Sequence, residues 1–390
     1  VTRIFAALFL LAPFLSAPFI STARADAPLE LDAEVKALFR VAACDESVPF
    51  DPRFDKAVVD EHCAALAKTI ARYRKDWLAP ARPFFDQLVP KDIPTTVVYP
   101  FAGGDLMTAL AVFPNLKEIT TISLEAGGDA RGLFRETPKE LKRHLALHRR
   151  FIDELVTWNH NRTLDLAALK RTPLASQLIF ALVGLSVHGY EPVGLRSIEL
   201  NDDGTVRYLS AADFANFEKE VSNSSGPQKN ARLADLLSSY ELRFRRKGEN
   251  DPASIRTYRH FQANLSNDEL AKDPRILKHL DQKGKVTAMT KAASHLLWHG
   301  GFKTIRDWLK AHIVWMVSDS TGINPLHLEP EKWEQTVYGT FDSAVFNPTT
   351  EGQGAMRALF KSQPFRPLPM KLFGYPTKRV KGLLIVTKPR

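Results

Sequence analysis

Between Thr95 and Glu125 the chain changes character three times. Thr95 to Phe101 is β-branched and aromatic, a composition that suits a pleated strand. Gly103 and Gly104 follow, able to take dihedrals closed to other residues. Leu106 to Phe113 is apolar with small residues between, as in a helix laid on a sheet, and Pro114-Asn115 stops it. Ile119 to Leu124 reads as a second strand ending at Glu125. The resulting βαβ unit puts Asp105 and Glu125 near the carboxyl ends of adjacent parallel strands, where open α/β sheets bind ligands.

The flanking pattern predicts further elements. Ala33 to Arg40 and Asp55 to Arg74 read as helices, the second with apolar residues at every third or fourth place. Pro80, Pro83, Pro90 and Pro94 punctuate the approach to the first strand, so residues 26–94 are expected to form a helical cap and 95–390 one α/β domain. Glu140 to Trp158 reads as a basic helix whose first turn accepts Pro138. Leu174 to Val187 is almost wholly apolar and is assigned as a buried helix. Pro192 to Leu200 and Thr205 to Leu209 form a hairpin around Asn201-Asp202-Asp203-Gly204. Tyr240 to Arg246 and Ile255 to Asn264 read as strands, and Ser266 or Asn267 as the cap of a following helix. Residues 210–232 read as polar with a loop at 222–227. Thr287 to His299 and Phe302 to His312 read as helices and Ile313 to Val317 as a short buried strand. Residues 324–354 read as irregular, Ala355 to Phe360 as a short helix, and Met370 to Tyr375 with Leu383 to Thr387 as a closing antiparallel pair.

Composition adds a compartment. Arg3, the apolar run Ile4 to Ile20 and the small-x-small triplet Ala23-Arg24-Ala25 form the pattern of a secretion signal over residues 1–25, with Asp26 beginning the exported chain. Pro13 and Pro18 break the run, so it does not read as a transmembrane segment. The protein is accordingly expected to be periplasmic or secreted. Of the 390 residues 44% are apolar, enough for a sizeable core. The formal charge of +9 falls to +7 when residues 1–25 are removed with Arg3 and Arg24. Lysine and arginine do not gather into one run with interleaved aromatics, so nucleic acid is not an expected partner. Cys44 and Cys63 are the two cysteines. Export permits a disulfide between them; the alternative is two buried thiols.

The run Val98-Tyr99-Pro100-Phe101-Ala102-Gly103-Gly104-Asp105, with Glu125 ending the second strand, resembles the class I methyltransferase-like fold. There a first strand ends at a glycine turn, the second ends at an acid that grips a cofactor ribose, and a late pair of strands closes the sheet. The resemblance implies a Rossmann-like, mostly parallel sheet with helices on both faces. The glycine pattern is replaced by Tyr-Pro-Phe-Ala-Gly-Gly-Asp and an exported chain is separated from S-adenosylmethionine, so no cofactor is expected. Tyr99-Pro100-Phe101-x-Gly103-x-Asp105, Asn264-Leu265-Ser266, His299, Asp319-Ser320-x-Gly322-Ile323 and Phe373-Gly374-Tyr375 also resemble a family of uncharacterised secreted bacterial proteins. That resemblance implies one integrated fold and transfers no activity.

Candidate chemistry rests on a few side chains. Asp105 caps the helix that starts beside it, meets a ligand, or does both. Glu125 either contacts a ligand or begins a solvated loop. Asp319, in a hydroxyl-rich loop, either binds an anion or metal or forms an Asx-turn. His295 and His299 stand four apart on one helical face, but residue 296 is not Glu and no third ligand lies nearby, so no metal site is assigned. There is no G-x-S-x-G motif and no CxxC. The catalytic candidates are Asp105, His299 and Asp319; the substrate-binding candidates are Tyr99, Gly103, Gly104 and Glu125. Two function classes follow. One is a ligand-binding or structural accessory protein of the cell envelope, meeting a small polar ligand or an envelope component. The other is an exported hydrolase using clustered carboxylates at 105, 125 and 319 with His299.

Overall fold

The computed structural model describes residues 27–158, 168–342, 352–370 and 382–390. The expected signal segment and Phe373-Gly374-Tyr375 lie outside these residues. Among the described residues ten strands form one sheet: β1 Thr96–Pro100, β2 Glu118–Ser123, β3 Tyr190–Leu200, β4 Val206–Tyr208, β5 Ser239–Arg246, β6 Arg256–Gln262, β7 Val286–Thr290, β8 Ile313–Ser318, β9 Trp333–Gly339 and β10 Leu383–Pro389. Their order is β4-β3-β5-β6-β2-β1-β7-β8-β10-β9. β1 and β2 are parallel neighbours, Val97 opposite Ile119, as the βαβ reading requires. The parallel block is β6-β2-β1-β7-β8. Every pairing outside it is antiparallel. The protein is therefore α/β, but the expected mostly parallel sheet is corrected to a mixed one in which antiparallel pairings are the majority.

Helices cover both faces because the parallel strands are apolar on both sides. Along β1, Val97 and Tyr99 enter one core and Val98 the other. The first core takes α1 Asp32–Val41, α2 Lys56–Tyr73, α3 Ala79–Leu88, α4 Leu106–Val112, α5 Pro138–Trp158 and α6 Ser176–His188. A π-helical stretch, Arg74–Leu78, joins α2 to α3. The second core takes α9 Asn267–Lys272, α10 Arg275–Asp281 and α11 Lys303–His312. All seven residues of α4 are buried, between the sheet and α6. The two helices approach so closely that a Cβ on Gly184 would stand 2.8 Å from the Met107 nitrogen. Cys44 and Cys63 are joined as a disulfide, tying the loop after α1 to α2. No helix among the described residues is long and apolar enough to cross a membrane.

Three local expectations fail for identifiable reasons. The stretch from Thr287 was expected to be helical, but Val286–Thr290 is β7, followed by a 3-10 segment Ala292–Trp298. All five β7 residues are buried, so no period-2 alternation marks the strand. Pairing with β1 and β8 decides its conformation. The region 324–354 was expected to be irregular, yet it contains β9. Residues 210–232 were read as polar with a loop, yet α7 Ala211–Glu220 and α8 Gly226–Leu236 occupy most of that span and run past it. Ser210 and Asp213 form a capping box there. The expected strand Met370 to Tyr375 falls almost wholly outside the described residues; β10 pairs with β8 and β9. The Asn201–Gly204 hairpin joins β3 to β4, with Gly204 at φ 84°.

Candidate functional site

The turn after β1 is backbone-strained. Phe101 has φ 61° and Gly103 φ 57°, both left-handed, and for phenylalanine that conformation is costly. The Ala102 N–H donating to the Ile122 carbonyl at 3.0 Å holds the turn onto β2. The chain then enters α4 with Asp105 as its N-cap. The Asp105 carboxylate accepts from the Thr108 N–H at 3.0 Å and the Thr108 hydroxyl at 2.9 Å. Asp105 is thus the helix cap that one sequence reading proposed.

Its other oxygen is also engaged. Lys291 Nζ donates to Asp105 Oδ2 at 2.6 Å and to Thr108 Oγ1 at 3.1 Å. The Tyr99 hydroxyl donates to the same Oδ2 at 3.2 Å. Both members of the ion pair are buried, Asp105 at 4% and Lys291 at 7% exposure. Burial, with the charges of Asp105 and then Asp319 nearby, pushes the Tyr99 hydroxyl pKa well above the usual tyrosine value. Tyr99, Asp105, Lys291 and Asp319 therefore share one electrostatic environment at the carboxyl ends of β1, β7 and β8.

The glycines are engaged as well. The Gly104 N–H donates to Gln177 Oε1 at 2.6 Å, and a Cβ on Gly104 would stand 2.3 Å from the Gln177 carbonyl oxygen. The turn is pressed against the first turn of α6. The loop after β2 is equally tight: a Cβ on Gly132 would lie 1.7 Å from the Pro173 oxygen, and one on Gly127 2.6 Å from the Tyr240 ring.

No family model, curated protein or solved structure matches this chain.

Glu125 lies two residues beyond β2, half-buried, with its carbonyl accepting from His260 Nε2 at 2.8 Å. Asp319 follows β8 directly, and its N–H donates to the Thr290 carbonyl at 3.2 Å. In the same loop the Thr321 and Gly322 N–H groups donate to Ser294 Oγ at 3.1 and 3.0 Å, so these donors are turned to a side chain of the protein itself. His299 is exposed at the end of the 3-10 segment, its ring edge-on to His295 at 6.4 Å between centroids. Among the described residues no hydrogen bond or ring contact brings it to Asp105. Among the described residues no group of three His, Cys, Asp or Glu could hold a metal ion.

Two residues central to this geometry were not singled out from sequence. Gln177 is the amide in the first turn of an almost wholly apolar helix, and Lys291 the cation closing the buried run of β7. Each carries the same signal: a strongly polar group inside an apolar context needs a partner. Two surface clefts of about 400 and 430 Å³ lie elsewhere. The first is lined by Glu199, Ser239, Gln262, Asn264 and Arg275, the second by Trp333, Gln363 and Arg366. Neither includes Tyr99, Asp105, Glu125, His299 or Asp319.

Proposed function

We propose that this chain is an exported ligand-binding or structural accessory protein of the cell envelope, built on a degenerate methyltransferase-like, Rossmann-like fold. The sheet supports the likeness. A first strand ends at a glycine turn, its parallel neighbour is followed by Glu125, and a late pair, β9 and β10, closes the β8 side. The disulfide supports export to an oxidising compartment. The observation that carries this reading concerns the turn itself. In a nucleotide-binding turn the free N–H groups and the neighbouring acid face the ligand. Here the Gly104 N–H is taken by Gln177 and the Asp105 carboxylate by Lys291 and Thr108. These contacts join β1, α4, α6 and β7, so the former site serves to fasten the fold. A small polar ligand or envelope component is then met elsewhere on the surface.

Equilibrium dialysis of the purified chain with S-adenosylmethionine tests this reading. No retention is expected. Micromolar binding that is lost in Glu125→Ala would overturn it.

The hydrolase reading draws on Asp105 and Asp319 both acting on Tyr99. Against it, the ion pair with Lys291 holds Asp105 in a structural role, and among the described residues no hydrogen bond joins His299 to it. An esterase and glycosidase substrate panel, with Asp319→Asn as the control, separates the two. Turnover abolished by that substitution would favour the enzyme.

A further inference from the structure

At the opposite end of α6 the chain makes a tight turn from Val187 to Tyr190 through Gly189, at φ 75°. Four arginines from separate elements meet these four residues: Arg256, in β6, is buried and donates to the Tyr190 hydroxyl at 2.8 Å, and three others stand at the surface. Arg74, in the π-helical stretch, points Nη2 at the Val187 carbonyl at 3.4 Å. Arg82, in α3, places Nη2 3.3 Å from His188 Nδ1. Arg246, at the end of β5, is in register with Tyr190 and lies over its ring, 5.1 Å from the centroid. All three are exposed, and among the described residues none has a carboxylate within 4 Å. Beside them on β5 and just after it, Arg245 pairs with Glu191 and Lys247 with Asp45. Asp76 and Asp86, on the same helical run, make no ion pair with the cluster.

Gathering like charges is unfavourable unless something opposes them. The carbonyl end of α6 supplies part of the compensation. That end is already met by the Gly189 N–H, which donates to Leu185 and Ser186, and by Arg74. Among the described residues Arg82 and Arg246 reach no carbonyl there. The turn is also open: a Cβ on Gly189 would meet no atom within 4 Å. We propose that Arg74, Arg82 and Arg246 form a binding site for a phosphate-class oxyanion, seated over Gly189. The guanidinium fork suits phosphate oxygens, and the ring of Tyr190 holds one fork in place. The local field agrees with this. Burial and the charges of Arg82, Arg74 and Arg246 hold the His188 pKa down to about 3. This site is independent of the reading of the glycine turn.

The test uses the full exported chain with inorganic pyrophosphate, followed by calorimetry at low salt. A parallel arm measures sedimentation with phosphatidylglycerol vesicles against phosphatidylcholine vesicles. Arg82→Gln/Arg246→Gln removes two charges and leaves Arg74 on its carbonyl. Lys68→Gln/Lys139→Gln removes two charges from exposed positions elsewhere. The cluster variant is expected to lose at least roughly tenfold in affinity, and the control variant to match the wild type. Binding of pyrophosphate assigns a soluble anion, and selective uptake by the anionic vesicles alone assigns a lipid headgroup; either sustains the site. Equal loss in both variants, or no binding of either probe by the wild type, overturns it. Should the cluster variant fail to fold, amide shifts in the wild type decide: movement of Gly189 and Tyr190 on adding whichever probe binds is expected, and their invariance overturns the proposal.

Discussion

The Lys291 ammonium lies 2.6 Å from the Asp105 carboxylate, with both side chains buried. This contact ties β7 to the cap of α4 across the carboxyl edge of the sheet. A buried pair is weak evidence of net stabilisation, but breaking one partner leaves an uncompensated charge. Lys291→Met is expected to destabilise by roughly 3–5 kcal/mol. Asp105→Asn/Lys291→Met keeps a capping oxygen for Thr108 and buries no charge, so it should cost less than Lys291→Met alone. Urea unfolding of the wild type, Asp105→Asn, Lys291→Met and the double variant forms the comparison. A double variant as unstable as the summed single effects would show that the two residues are not coupled.

Gly104 and Gly300 give a matched pair of glycine replacements. A Cβ on Gly104 meets the Gln177 backbone at 2.3 Å, whereas one on Gly300 meets nothing within 4 Å. Backbone cannot swing aside as a side chain can, so Gly104→Ala is expected to cost about 1–3 kcal/mol. Gly300→Ala, on an exposed 3-10 turn, should stay within about 0.5 kcal/mol of the wild type. Similar melting temperatures for both would refute the close approach of α6 to the turn.

The central βαβ unit was legible because its signals are local. Thr96–Pro100 is β-branched and aromatic, Gly103-Gly104 must turn, and Leu106–Val112 has helical composition. β7 was not legible because five consecutive buried residues carry no alternation, and its strand conformation comes from its sheet neighbours, β1 with Val97 opposite Thr287 and β8 with Met316 opposite Ala288. The balance of parallel and antiparallel pairing was hidden for the same reason. In the candidate site, Asp105 was readable as a residue with two open roles. What settled its cap and its ion pair were Thr108, one turn on, and Lys291, which reaches it through the fold. Gln177 met Gly104 by the same long-range route.

The disulfide joins residues 19 positions apart. In the chain-entropy account, closing a loop of that size stabilises by about 3 kcal/mol, through restriction of the unfolded chain. Cys44→Ser/Cys63→Ser should lower the urea midpoint accordingly while leaving the far-ultraviolet circular dichroism spectrum unchanged. Reductant should shift the wild type by a similar amount and leave the double variant where it is. A reductant effect on the double variant would place the sensitivity somewhere other than this bond.

Acid should weaken the fold in two stages, the first set by histidines. Burial holds the pKa of His62, His148 and His279 down to about 4, and of His188 to about 3, against an ordinary 6.5. The causes are visible. His62 has its Nε2 3.0 Å from the Ala42 carbonyl and Arg149 beside its other nitrogen, so a proton there would face a cation. His148 is fully buried, with Nδ1 2.8 Å from the His144 carbonyl. Between pH 6.5 and 4 the unfolded chain binds protons at these positions and the folded chain does not. Stability therefore falls as pH falls through that window, by up to about 1 kcal/mol per pH unit for each such histidine. Above pH 6.5 their contribution is fully present. The second stage comes from carboxylates whose pKa the fold lowers. Asp45, beside Lys247, Glu118, beside Lys283 and Arg259, and Asp129, beside Arg131 and Arg135, keep their contribution above their ordinary range and lose it as pH falls through the lowered values. The melting temperature should thus begin to drop near pH 6.5, well before the carboxylates titrate. Calorimetry at pH 5 in buffers of different ionisation enthalpy counts the protons taken up on unfolding. His148→Leu, which removes a titrating group from a buried site, should reduce that count by about one. A flat melting temperature from pH 6.5 to 4.5, or a count unchanged in His148→Leu, would show that these rings are not held neutral by the fold.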